Sequence, residues 1–201
     1  MKPYLIAIAG MSCSGKSTIA EAIAAKVPSA IFRLDEYYLK LDHLAPEERV
    51  RFDFDRPDAF DETLIVQHIY QLAAGNPIQQ PVYDFARYTR TGKTTVLEPN
   101  DYVIVEGIFA LYWERMRALY GTKVFVEASH NVCLPRRQSR DVAERGRTPE
   151  SVITQYEKTV RPGADEFVVP CKQYADVVVD GSQPVVRSVK AILSHIHRRP
   201  E

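Results

Sequence analysis

Gly10-Met11-Ser12-Cys13-Ser14-Gly15-Lys16-Ser17 reads G-x-x-x-x-G-K-[ST], and it stands between an apolar run, Tyr4 to Ala9, and an alanine-rich helical pattern that starts at Lys16. A strand must enter such a loop and a helix must leave it, so the motif fixes the local topology. Glycine lets backbone N–H groups come close to an anion, and the following helix offers free N–H donors and the positive end of its dipole. The loop, from Gly10 through Ser12, Ser14 and Gly15 to Thr18 on the helix, is therefore expected to cradle nucleotide phosphates. Lys16 adds a point charge for the β- and γ-phosphates, and the Ser17 hydroxyl is a ligand for magnesium. A nucleoside triphosphate, ATP or GTP, is the expected phosphate donor.

Four more apolar runs of strand length follow: Ala30 to Leu34, Tyr102 to Val105, Lys123 to Val126 and Asp176 to Val179. They are rich in β-branched residues and mostly lack polar alternation, the mark of strands buried on both faces of a parallel sheet. Helical patterns cover Lys16 to Lys26, Asp61 to Ala74, Phe109 to Tyr120, Leu134 to Arg145, Thr148 to Val160 and Val185 to His197. The alternation predicts an α/β fold of the P-loop NTPase kind, an open parallel sheet of about five strands flanked by helices. Asn76 and Pro77 stop one helix, and the short alternation in Pro81 to Arg90 predicts a hairpin excursion within residues 77–95. At 201 residues and 45% hydrophobic composition, a single domain over 1–201 is expected.

In an open α/β sheet, ligands bind beyond the carboxyl ends of the strands. Asp35 and Glu106 both follow such ends, as the phosphate loop does. Phosphoryl transfer needs a metal to spread charge and a carboxylate to orient the attacking hydroxyl and take its proton. Asp35 is read as that base, and Glu106 as the magnesium partner beside Ser17. A strand-end carboxylate also serves as an ordinary cap of the next helix or turn.

Arg136, Arg137, Arg140, Arg145 and Arg147 are five arginines within twelve residues, and Gly146 offers a break. Arginine suits phosphate because its planar fork donates two parallel hydrogen bonds and stays charged. A mobile cover over the phosphates, residues 134–148, is one reading; a solvated basic helix stitched by Asp141 and Glu144 is the other. Lys plus Arg equals Asp plus Glu at 26 each, so the overall field favours neither a nucleic acid nor a membrane as partner. The three cysteines, Cys13, Cys133 and Cys171, lack metal or disulfide spacing, and Met1 to Gly10 lacks a targeting pattern, which points to a cytoplasmic protein.

With these segments in view, the chain resembles the uridine and cytidine kinases, and more distantly the phosphoribulokinases, nicotinamide riboside kinases and bacterial pantothenate kinases. The likeness extends beyond the phosphate loop to Asp35-Glu36-Tyr37-Tyr38, Phe54-Asp55-Arg56-Pro57-Asp58-Ala59-Phe60-Asp61, Tyr83-Asp84-Phe85 and Glu106-Gly107-Ile108. It continues through Arg140-Asp141, Glu144-Arg145-Gly146-Arg147, Gln155-Tyr156, Lys172 and Tyr174-Ala175-Asp176, in family order over Ile6 to Val179.

The resemblance implies transfer to the 5′-hydroxyl of uridine or cytidine, a salvage reaction giving the monophosphate, with Asp35, Lys16 and Arg140 acting on the reacting groups. It implies that Asp55, helped by Arg137 and Gln155, holds the sugar hydroxyls. Tyr83 and Phe85 would bracket the base, with Phe54 close by and Arg147 reaching it from the lid. Arg140 and Arg145 would meet the triphosphate, and Ser17 and Glu106 the magnesium. Phe60 reads as core. Relatives commonly carry histidine where Tyr88 stands, against the pyrimidine edge, so the substrate range departs there and cytidine is expected to be favoured. Family analogy adds a homotetramer. Two other functions compete: a sibling kinase for nicotinamide riboside or pantothenate, and a regulatory nucleotide switch, against which stands the absence of an Asn-Lys-x-Asp element.

Overall fold

The computed structural model describes residues 2–198; Met1 and residues 199–201, the two ends of the expected unit, lie outside the described residues. The strands are β1 (Tyr4–Gly10), β2 (Ser29–Arg33), β3 (Ile78–Asp84), β4 (Thr89–Leu97), β5 (Tyr102–Glu106), β6 (Thr122–Glu127) and β7 (Val177–Asp180). Five of them form one sheet in the order β2-β5-β1-β6-β7, and every pairing in it is parallel. The antiparallel pair β3-β4 stands apart as a two-stranded unit.

Alternate residues of each central strand feed opposite cores. Leu5, Ala7 and Ala9 of β1 join Val103, Val105 and Phe125 on one face, whereas Ile6 and Ile8 join Ile104, Val124 and Val126 on the other. The second face is closed by the helix after the phosphate loop, Lys16–Ala24, and by the C-terminal helix Val185–Ile196. The first face is closed by the helix Glu62–Ala73 and by the helical stretch that follows Gln155. This double burial is why the strands carry no polar alternation. Ile6 and Ile8 are fully buried, and each such side chain contributes about 1.5 to 3 kcal/mol.

Three helices differ from expectation. Of Phe109 to Tyr120 only Glu114–Arg117 is helical. Ile108 to Leu111 is buried on every side, so it has no polar face to present to water, and the Arg117 guanidinium donates to the Leu111 and Tyr112 carbonyls that a helix would otherwise satisfy. The arginine-bearing helix begins at His130 rather than Leu134 and passes through Pro135 to Arg145. Beyond Pro149–Gln155 the chain does not stop at Val160: it winds through π turns at Tyr156–Val160 and Ala164–Val168 and ends at Tyr174. The wider turns lie on either side of Pro162, which has no N–H to donate.

Gly163 lets this winding helix pass against the backbone of Asp55. A Cβ at Gly163 would stand 2.4 Å from the Asp55 carbonyl oxygen and 3.0 Å from its Cβ. Alanine would gain about 1 kcal/mol in helix propensity. Overpacking costs about 1 to 3 kcal/mol, and a 2.4 Å contact with a backbone oxygen stands at the upper end of that range, so the net loss is about 2 kcal/mol. Gly163→Ala is expected to lower Tm by about 4 to 8 °C for a chain of this size, measured by thermal melting. An unchanged melt would mean that the helix shifts without cost.

Candidate active site

Gly10 ends β1 with φ 150, and a Cβ there would lie 2.4 Å from the Val126 carbonyl oxygen, so only glycine brings β1 and β6 together at the loop. The loop wraps so that the Ser14 N–H donates to the Met11 carbonyl at 3.1 Å. Lys16 is buried, with its ammonium 3.4 Å from the same carbonyl. On the helix, the Ser17 hydroxyl lies 3.1 and 3.2 Å from the two carboxylate oxygens of Glu106, which reaches it from the end of β5.

A cavity of about 450 Å³ opens over this loop. At its phosphate end stand Ser12, Gly15, Lys16, Ser17 and Thr18. Asp35, on the turn Leu34–Tyr37 after β2, and Asp55 line its far side. Phe54, Tyr83, Phe85 and Tyr88 form an aromatic wall there. Phe54 and Tyr88 stack with centroids 5.5 Å apart, and Tyr83 meets Phe85 edge-on at 5.2 Å. Tyr88 closes the hairpin turn with φ 54, a left-handed backbone that costs a non-glycine residue about 1 to 2 kcal/mol. Arg137, Arg140, Arg145, Arg147 and Gln155 line the same cavity.

All the site residues expected from the sequence thus border one cavity except Gly10 and Ser14, within the loop itself, and Glu106 at the end of β5. Phe60 is buried in the core and does not line it. Sequence reasoning passed over Tyr38, which meets Phe54 edge-on at 5.2 Å and sits close to both Asp35 and Asp55. Arg136, which the sequence placed in the arginine run without a contact of its own, donates to the Gly181 carbonyl at 3.0 Å; Gln183 and Val185 after β7 were passed over. The rule that drew attention to Asp35 and Glu106 applies equally to the end of β7, where these residues stand.

The electrostatics are divided along the cavity. Arg137 donates to the Ser12 hydroxyl at 2.9 Å and to Gln155 Oε1 at 3.1 Å; Arg147 donates to the same oxygen. The Arg145 guanidinium lies over the Phe85 ring, 4.8 Å from its centroid. Burial raises the pKa of Glu106, Lys16 opposes the rise and Asp35 adds to it. Burial also pushes the Asp55 carboxyl up to about 6, with Arg137 opposing. One buried Asp35 oxygen, Oδ1, and the Tyr83 hydroxyl have no hydrogen-bond partner.

Among the described residues, no cluster of three or more His, Cys, Asp or Glu is placed to hold a metal alone. Ser17 and Glu106 instead offer hard oxygen donors beside the phosphate loop, and Asp35, with one unpartnered oxygen, is close enough to raise the Glu106 pKa. That donor set suits magnesium, which is usually held by one or two protein oxygens together with phosphate and water.

Residues 5–187 match the profile of the Phosphoribulokinase / Uridine kinase family. The chain is similar to a uridine kinase of Chloroflexus aggregans, 46% identical over 89% of this chain and 87% of the relative. It is also similar to a uridine kinase of Cronobacter sakazakii, 43% identical over 87% and 85%. Among solved structures, a possible uridine kinase from Bacillus stearothermophilus superimposes with a TM-score of 0.60, covering 90% of each chain at 20% identity, which speaks for the fold alone.

Asp55 gives a pH test. Its carboxyl holds a proton more tightly in the folded chain than in the unfolded one, where the pKa is near 3.8. Ionising it therefore costs stability, by nothing below that value and by about 3 kcal/mol once the pH exceeds about 6. Asp55→Asn is expected to melt several degrees above the parent at pH 8 and to lose that advantage at pH 4, read by parallel melts. An equal difference at both values would mean that the carboxylate is well solvated.

Proposed function

The chain belongs to the Phosphoribulokinase / Uridine kinase family, and from that premise we propose that it moves the γ-phosphoryl group of ATP or GTP to the 5′-hydroxyl of a pyrimidine ribonucleoside, cytidine in preference to uridine. The observation that carries the reading is one continuous cavity with a phosphate loop at one end, two carboxylates and an aromatic wall at the other, and arginines across both. Magnesium held at Ser17 and Glu106 would supply charge neutralisation on the donor phosphates. Asp35 accepts the proton of the 5′-hydroxyl as its oxygen bonds to the γ-phosphorus. The bond from that phosphorus to the bridging oxygen breaks, and the nucleoside diphosphate leaves. Lys16, Arg140 and Arg145 meet the charge on the transferring group.

Asp55, ionised above about pH 6, accepts from the sugar hydroxyls, with Gln155 and Arg137 alongside. Phe54, Tyr83 and Phe85 hold the base, and Arg147 approaches it from the lid. We read the unit as a single domain, working in the cytoplasm, as a tetramer by family analogy and with small molecules rather than nucleic acid as partners. No described helix is long and apolar enough to cross a membrane.

Asp35→Asn keeps size but removes the proton acceptor, and turnover is expected to fall at least ~10²-fold while nucleoside binding survives better. Steady-state rates beside calorimetry decide it; binding lost with turnover retained would make Asp35 a binding residue. A panel of acceptors including nicotinamide riboside and pantothenate tests the substrate class, since a regulatory nucleotide switch would release diphosphate without acceptor dependence.

Tyr88 carries the base preference. A phenol whose single proton is taken by a protein acceptor presents lone pairs, which suit the cytosine amino group and repel uracil O4. The Tyr83 hydroxyl, buried without a partner and close enough to sense Tyr88, is a candidate acceptor. A buried mismatch costs about 1 to 3 kcal/mol, roughly 5- to 150-fold in kcat/KM between the nucleosides. Tyr88→His is expected to recover uridine. Comparable parent values for both nucleosides would overturn the assignment.

A further inference from the structure

Asp141 sits on the arginine-bearing helix, fully buried, with four guanidinium groups around one carboxylate. Its two oxygens divide them. Oδ1 lies 2.8 Å from Arg140 Nη2 and 3.5 Å from Arg145 Nη1, and it also accepts from Arg140 Nε at 2.9 Å. Oδ2 faces Arg137 Nε at 3.4 Å and Arg147 Nη1 at 3.9 Å. The Oδ1 pair is the one read above as meeting the triphosphate. The Oδ2 pair shares Gln155 Oε1 and serves the acceptor end.

The two sides are not equally engaged. Arg140 makes hydrogen bonds to Oδ1, whereas Oδ2 and Arg137 Nε are buried, face each other and have no hydrogen-bond partner. Four like charges in one cluster repel, and a single carboxylate can only partly offset them. A triphosphate arriving at Arg140 and Arg145 would neutralise two of the four and relax their hold on the carboxylate. The carboxylate is then free to close on Arg137 and Arg147, fixing Gln155 and the acceptor side.

We propose that Asp141 is a positioning residue that couples the two substrate subsites, so that donor binding tightens acceptor binding through the shared carboxylate. This rests on the reading of the cavity as a nucleoside kinase site. By reciprocity, the acceptor raises donor affinity by the same factor. The coupling passes through charge, so inorganic triphosphate, which has no base or sugar, is expected to reproduce it.

The test is calorimetric titration of cytidine and uridine into the full chain, alone and with saturating inorganic triphosphate or a non-hydrolysable ATP analogue. In the parent, either anion is expected to lower the nucleoside Kd by about fivefold or more, the low end of ordinary coupling. In Asp141→Asn, which keeps shape and loses charge, the ratio is expected to fall to about one, with Asp141→Glu recovering part of it. A merely structural role would weaken both bindings and leave the ratio in place. A parent ratio of one, or an undiminished ratio in folded Asp141→Asn, overturns the coupling. Should Asp141→Asn fail to fold, Arg140→Gln tests the same path, because it removes the main Oδ1 partner. Retained coupling there likewise overturns it. Absence of any nucleoside binding to the parent would instead sink the kinase reading itself.

Discussion

The parallel pairing of β1 with β5 is the constraint on which the site depends. Its register sets Ile8 opposite Glu106, two residues before the phosphate loop begins, and the neighbouring pair sets Arg33 opposite the same glutamate. Because the five strands of the sheet run in one direction, the loop, the Asp35 turn and Glu106 all emerge on one edge. A slip of one residue in β5 would turn Glu106 to the other face and break its contact with Ser17. The register is held by the two cores, since the same slip would exchange Val103 and Val105 for Ile104 between faces that are already full. Packing in the two cores thus fixes the distance between Ser17 and Glu106.

The chain carries no net charge, yet the cavity is strongly polarised. Five arginines line it together with Asp35 and Asp55. Burying acids is unfavourable, and desolvation raises the pKa of both Asp55 and Glu106. Stability is therefore given up at these two positions. Overall neutrality and local polarity are compatible because the opposing charges lie on different elements: the acids follow sheet strands and loops, whereas the arginines ride on the helix His130–Arg145 and, for Arg147, on the connection after it.

The sheet and the phosphate loop were legible in the sequence because they obey local rules. Doubly buried strands look apolar throughout, and a glycine loop between strand and helix has one topology. The helices were less legible where tertiary contacts replaced local hydrogen bonding. Phe109 to Tyr120 has helical periodicity, but Arg117 satisfies its carbonyls and the core surrounds Phe109 completely. The continuation from Tyr156 to Tyr174 passes Pro162 between two π turns and Pro170 in the first turn of a 3-10 segment, and no 3.6-residue period in the sequence announces such turns. Within the site, single residues at strand ends were readable one at a time. In one of the two readings of the arginine run Asp141 merely stitches a solvated helix, because nothing local distinguishes a solvated acid from one on which four arginines converge.

The hairpin is the element whose placement the sequence leaves open, since it belongs to no sheet that would orient it. Two side chains fix it. Glu36, next to Asp35, accepts from the Tyr83 N–H at 2.6 Å, and burial raises its pKa despite that bond. Arg90 on β4 donates to the Tyr38 carbonyl at 2.9 Å, to the Tyr37 carbonyl at 3.1 Å and to Asp61 at 3.1 Å. These ties end on the turn that carries Asp35, on Tyr38 after it and on Asp61 at the head of the helix Glu62–Ala73, not on the central sheet. The aromatic wall and the Asp35 carboxylate are therefore parts of one locally braced unit. Movement of the hairpin relative to the phosphate loop would carry the wall and the carboxylate together, keeping a ligand held by its ring in register with Asp35.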